Sequence, residues 1–154
     1  MNSHSDHTLH FEAVNSRNRA EVEHLEVFAE QSGFIESVTQ CLQEADKLEL
    51  WRPVGIYDRG MLIGFAMYGY FPEPAPGQLW LDRLLIDKKY QGKGYGKRVV
   101  LALLDRLRTE YSCDTIYLSV YETNSHAIHL YQQIGFHFNG EYDTNGEHVM
   151  VYAF

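Results

Sequence analysis

Gln91-Gly92-Lys93-Gly94-Tyr95-Gly96 is the stretch that decides the fold. It follows the apolar run Leu79 to Ile86 and opens the segment Lys97 to Tyr111. There Val100, Leu103, Leu104, Leu107 and Tyr111 recur at helical spacing. Glycines at alternate positions let the backbone approach a ligand and turn its N–H groups inward. A helix starting just beyond adds free donors and a partial positive charge. Strand, glycine turn and helix in that order predict a cradle for a phosphate or pyrophosphate. Two better-known nucleotide templates fail. The G-x-G-x-x-G fingerprint needs its last glycine one residue beyond Gly96, and the phosphate-loop pattern needs Gly where Gln91 stands and Ser or Thr where Arg98 stands.

Outward from this loop, 154 residues suffice for one domain that buries roughly 68–70% of its unfolded surface. With 45% hydrophobic and 22% charged residues the composition is that of an ordinary globular protein. No apolar run is long enough to span a bilayer, and the first ten residues lack a signal-peptide core, so no membrane role is expected. Cys41 and Cys113 lack C-x-x-C spacing and are expected as reduced thiols in the cytoplasm. A formal net charge of −8 argues against nucleic acid and suits a cationic partner.

The N-terminal side starts with residues 1–8, expected to form a disordered arm; His4 and His7 in it, with His10 just beyond at the same spacing, read as solvated rather than metal-binding. Residues 9–154 form the domain. Leu9 to Val14 reads as a strand. A helix capped by Asn15 or Ser16 is expected to run to about Glu30, with Val22, Leu25, Phe28 and Ala29 on its apolar face. After a break at Gln31-Ser32-Gly33, Ile35, Val38, Leu42, Ala45 and Leu48 mark a second helix. The period then becomes two. Trp51 to Tyr57 and Met61 to Phe71 are strands joined by Asp58-Arg59-Gly60, and a Pro-rich surface loop follows from Pro72 to Gly77. Beyond the glycine loop and its helix lie a strand (Thr115 to Tyr121), a short helix from Asn124 or Ser125 to about Gln133 ended by Gly135, and a last hairpin turning at Asn145-Gly146. The order is β-α-α-β-β-β-α-β-α-β-β, an α/β domain with a mixed central sheet of about seven strands and about four helices.

Two motifs then carry a resemblance. Gln91, Gly94 and Gly96 resemble the acetyl-CoA signature Q/R-x-x-G-x-G/A of the GNAT superfamily. Asn124, Ala127-Ile128, Leu130-Tyr131 and Gly135-Phe136 resemble its N-x-x-A-I-x-L-Y-x-x-x-G-F motif. The likeness runs from about Leu9 to Phe154. More narrowly, Trp80-Leu81-Asp82-Arg83, Tyr121-Glu122-Thr123-Asn124 and the C-terminal hairpin are similar to bacterial diamine (spermidine/spermine) N-acetyltransferases. The resemblance implies an enzyme that transfers an acetyl group from acetyl-CoA directly to a primary amine of a small polyamine. Another amine (an amino acid, an aminoglycoside or a peptide N-terminus) and a non-catalytic acyl-CoA-binding module are the alternatives.

The resemblance also implies roles. The main chain of Leu84, Leu85 and Ile86 would bind the pantetheine arm and supply an oxyanion N–H. Gln91, Gly92, Lys93, Gly94, Tyr95, Gly96 and Lys97 would hold the pyrophosphate, and Asn124 would hydrogen-bond the cofactor or simply cap its helix. An alkylammonium resembles Lys, with a pKa near about 10.4, so a base is required; Asp82, directly or through water, takes that role, unless it only pairs with Arg83 or Lys88. Tyr131 would protonate the departing thiolate at an ordinary phenol pKa, or else it packs on the sheet as a core residue. A polycation also needs spaced carboxylates: Glu36, Glu73 and Glu122 join Asp82 as candidates, each also readable as a solvated surface acid. Glu23, Glu26 and Glu30 share a helical face and read as solvated. His126 and His129 lack a third ligand, so no metal is expected, and Cys113 lacks a base that would make it a nucleophile. Self-association through terminal strands, as in many such proteins, suggests a homodimer.

Overall fold

A computed structural model describes residues 8–31, 33 and 37–154. The expectations for the arm with His4 and His7, for Ile35 and for Glu36 lie outside these residues. Seven strands form one sheet: β1 (Leu9–Ala13), β2 (Trp51–Asp58), β3 (Met61–Phe71), β4 (Gln78–Ile86), β5 (Thr115–Val120), β6 (His137–Tyr142) and β7 (His148–Ala153). They lie in the order β1-β2-β3-β4-β5-β7-β6. Every neighbouring pair is antiparallel except β4 and β5. Arg59 and Gly60 both have positive φ (52° and 82°), the backbone a two-residue hairpin needs between Asp58 and Met61.

Alternation on β3 divides the core. Phe65 and Met67 face α1 (Arg19–Glu23) and α2 (Val38–Lys47), burying Val22, Val38, Cys41 and Leu42 with Leu85. Ala66 and Tyr68 face the other side, where α3 (Tyr95–Glu110) buries Val99, Val100, Leu103, Leu104 and Leu107. The helix α4 (Ser125–Ile134) packs on that side through Ile128, Leu130, Tyr131 and Ile134. Burial of five side chains in one stripe makes α3 the main buttress; truncating one such leucine to Ala costs about 2–5 kcal/mol.

The first helix is far shorter than its periodicity suggests. Asn15 Oδ1 accepts the N–H groups of Arg17 and Asn18, so the chain spends 15–18 in an Asx turn and α1 starts at Arg19. At the other end long-range bonds replace helical ones. Glu26 N–H donates to Asp87 Oδ1 at 2.9 Å, and the Glu26 carbonyl accepts from Lys88 N at 2.7 Å. Beyond it, among the described residues before α2, a single 3-10 turn forms at Ala29–Gln31. Phe28 is therefore 43% exposed rather than part of an apolar face. Helix α2 begins at a capping box, Ser37 with Gln40. Its last apolar residue, Leu48, has left the helix and is exposed.

Candidate active site

The parallel pair β4/β5 touches at two rungs only, Leu79↔Ile116 and Trp80↔Tyr117. Beyond them the strands part, leaving backbone groups of β4 without ladder partners on the β5 side. A cleft of about 730 Å³ fills the opening. It is lined by Leu81 to Ile86 of β4, Leu118 to Val120 of β5, the loop after β4 and the face of α4 carrying Ala127, Leu130 and Tyr131. A cleft at the C-terminal end of parallel strands is where α/β proteins take ligands. An extended ligand arm can occupy the missing strand's place.

The glycine loop has the expected form for two separate reasons. Gly92 and Gly94 hold φ of +77° and +81°, and an added Cβ there would meet nothing within 4 Å; conformation, not space, demands glycine. Gly96 has ordinary φ, but its Cβ would come within 3.3 Å of Leu130 Cδ2, so it sets the approach of α3 to α4. Gly94 caps α3 without any side-chain hydrogen bond. The first-turn N–H groups of a 16-residue helix thus face the cleft beside Lys97 with no capping side chain. These features fit a pyrophosphate with a long extended arm that can hydrogen-bond to β4.

Of the residues expected to bind the cofactor, Leu84, Leu85, Ile86, Gln91, Gly92, Gly94, Tyr95, Gly96, Lys97, Asn124 and Tyr131 line the cleft. Lys93 does not; its ammonium lies 5.8 Å from the Tyr90 ring centroid. The Tyr95 hydroxyl donates to the buried Asp58 carboxylate, which holds Asp58 below the usual carboxylate range and raises the Tyr95 phenol. That side chain ties the start of α3 to the β2–β3 hairpin. Asn124 caps α4 by accepting Ala127 N–H at 3.4 Å and also lines the cleft, so both roles remain open to it.

Asp82 occupies a β-bulge: Met67 pairs with Arg83 and Tyr68 with Leu81, leaving Asp82 as the extra residue. The bulge re-aims its side chain, which is bonded to the Arg83 guanidinium; Arg83 also lies 3.4 Å from Glu44. Lys88, the other candidate partner, pairs with Glu26 at 2.8 Å. Tyr131 lines the cleft with its ring 5.5 Å from Phe136. Burial pushes its phenol up to about 12, not the ordinary value expected from sequence. A phenol held protonated in this way can donate a hydrogen bond into the cleft.

The acids differ most from expectation. Glu73 and Glu122 do not line the cleft; Glu122 is largely exposed and contacts His148 at 3.2 Å. Glu30 and Glu147 do line it, together with Asp82, Gln31, Ser119 and His126. Glu147 is held at the mouth of the β6–β7 turn, its N–H on Asp143 Oδ1. Its position just after Asn145-Gly146 was the available signal, whereas Glu30 was masked by a helical pattern that the chain does not follow. Burial also raises the Cys113 thiol, which disfavours a nucleophilic thiolate. Among the described residues no group of three His, Cys, Asp or Glu is placed to hold a metal, and no helix is long and apolar enough to cross a membrane.

The profile of the Acetyltransferase (GNAT) family matches residues 20–136, and the chain belongs to that family. Its co-substrate is acetyl-CoA. Among curated relatives, a probable spermine N(1)-acetyltransferase of Bacillus subtilis subsp. natto is 50% identical over 94% of this chain and 97% of the relative. A spermine/spermidine N(1)-acetyltransferase of Bacillus subtilis is 49% identical over the same shares. Among solved structures, Vibrio cholerae spermidine N-acetyltransferase in complex with CoA and spermine superposes with a TM-score of 0.74, 20% identity and 96% coverage of both chains. An aminoglycoside acetyltransferase with coenzyme A gives 0.78 at 21% identity and 94% coverage of both. At such identities the structures establish the shared fold.

Proposed function

We propose that this protein transfers the acetyl group of acetyl-CoA to a primary amine of a spermidine- or spermine-type polyamine. The observation that carries the reading is full-length similarity, at about half of all positions, to relatives named for that acceptor. The cleft supports it with three carboxylates, Glu30, Asp82 and Glu147, on separate elements. Spaced acids suit a chain of ammonium groups better than one strong pair does.

The residues divide the work as follows. Glycine-loop N–H groups and the start of α3 hold the pyrophosphate, and β4 main chain at Leu84 to Ile86 orients the pantetheine arm with its carbonyl oxygen toward an N–H donor. Asp82, directly or through a water, removes the proton that leaves the acceptor ammonium a nucleophile. The amine forms the new C–N bond, the C–S bond breaks, and Tyr131 O–H hydrogen-bonds the sulfur as charge collects there. The sulfur takes its proton from Tyr131, which solvent then re-protonates, or from the acylated nitrogen.

Two further parts of the reading are supported by surface features. Neither Cys41 nor Cys113 is in a disulfide, which suits a reducing cytoplasm. The edge strand β6 exposes all six residues, Phe138 and Tyr142 among them, which suits a homodimer along that edge. The test of function is release of free CoA thiol across a panel of amines. Spermidine and spermine should lead; no release with any amine would leave only an acyl-CoA-binding module.

A further inference from the structure

The segment Glu26–Gln31 forms one wall of the cleft through Val27, Glu30 and Gln31, and the turn from β4 to the glycine loop continues the lining directly beside it. Packing holds these segments only in part: Val27 packs against one core cluster and Tyr90 against the other. The 3-10 turns Ala29–Gln31 and Lys88–Tyr90 contain no buried residue. They are joined by polar contacts at two places. At the first, buried Asp87 accepts Glu26 N–H at 2.9 Å and Lys88 N–H donates to the Glu26 carbonyl. At the second, the side-chain amides of Gln31 and Gln91 donate to each other reciprocally, both at 2.9 Å.

The orientation of that amide pair is determined by its neighbours. Gln91 Nε2 also donates to the Ile86 carbonyl at 2.9 Å, and Gln31 Oε1 also accepts Phe28 N–H at 3.2 Å. Flipping either amide would set donor against donor or acceptor against acceptor. Gln91, the first residue of the glycine signature, thus spends both side-chain N–H groups on protein carbonyls, none on a phosphate. From this geometry we infer that Gln31 is a positioning residue: through Gln91 it couples the acceptor wall to the pyrophosphate loop, so that each substrate tightens the site for the other. Whatever orders the 3-10 turn beside Glu30 also fixes the loop sixty residues away, and by linkage the effect is reciprocal. The inference rests on acetyl-CoA as co-substrate and, in one arm of its test only, on the polyamine reading.

The test is calorimetric titration of CoA into the full-length protein, alone and with saturating spermine. Gln31→Leu should raise the CoA Kd about 5–20-fold, and Gln31→Leu/Gln91→Leu should be within about twofold of Gln91→Leu alone, because the two residues act as a unit. The pair Gln31→Glu/Gln91→Arg should recover CoA affinity to within about threefold, since Arg can donate to both the new carboxylate and the Ile86 carbonyl. In steady state the loss should appear in KM for acetyl-CoA more than in kcat. Spermine should tighten CoA binding to wild type and not to Gln31→Leu. An unchanged CoA Kd in Gln31→Leu, multiplicative effects in the double variant, or a uniform fall in kcat and Tm without charge-pair rescue would overturn the inference. If CoA binding responds as stated while spermine has no effect on wild type, that arm is repeated with the best amine of the panel: tightening by that amine keeps the coupling and removes only spermine as ligand, and no tightening overturns the coupling.

Discussion

Tyr131→Phe removes one hydroxyl from the cleft and keeps the ring that packs on Phe136. With its phenol near 12, Tyr131 is a fully protonated donor throughout the neutral and mildly alkaline range. Its contribution is a hydrogen bond to developing charge, and removing one such donor costs about 10²–10³ in kcat. CoA affinity should change by less than about threefold, because ring packing survives and the hydroxyl acts on the transition state. Thiol-release kinetics give kcat, and calorimetry gives the CoA Kd. The same group makes a pH prediction. Its folded pKa is raised from 10.0 to about 12, so between those values the unfolded chain loses the proton first and ionisation favours unfolding. Stability is unaffected below about pH 10 and falls above it by at most about 1.4 kcal/mol per pH unit on this account. Tyr131→Phe should flatten that part of the alkaline unfolding curve. Wild-type turnover in the variant would refute the role. So would a fall in wild-type rate between about pH 8 and 10 that vanishes in the variant.

Four other substitutions probe the same site. Asp82→Asn should lower kcat/KM most at low pH, where the acceptor most needs deprotonation; a pH–rate profile unchanged in shape would remove it as base. Gly94→Ala forces an L side chain to φ +81°, costing about 1–2 kcal/mol in a thermal melt and, because the loop must distort, weakening CoA binding. An unaltered melt and Kd would show that φ is not what demands glycine. Glu30→Gln and Glu147→Gln should each raise the spermine KM by about 3–10-fold with little change for a monoamine, an electrostatic loss screened by salt; equal effects on both amines would deny them a role in reading the second cation.

Local signals carried the scaffold and the cofactor half of the site. The glycines at 92 and 94 needed positive φ, and the stripe from Val100 to Leu107 on α3 is buried as its spacing implied. Asn124 and Gly135 bound α4 where they were expected to. What stayed hidden depends on contacts distant in sequence. The expected helix through Glu30 is cut short because Asp87 and Lys88 bind the backbone of Glu26, a tertiary override of local propensity. Glu30 thereby moves from a solvated helix face to the cleft wall. The extra residue at Asp82 and the parting of β4 from β5 are register events that no periodicity in either strand announces. The raised Tyr131 phenol arises from burial, which a motif match alone does not report.

The most direct test of the central claim compares kcat/KM for spermine, spermidine, a monoamine of matched chain length and an aminoglycoside, each with saturating acetyl-CoA. An acidic cleft that reads a second ammonium predicts spermine or spermidine ahead of the monoamine by about 10² or more, the equivalent of about 3 kcal/mol in the transition state. A monoamine within about threefold of spermine, or an aminoglycoside in first place, would contradict it.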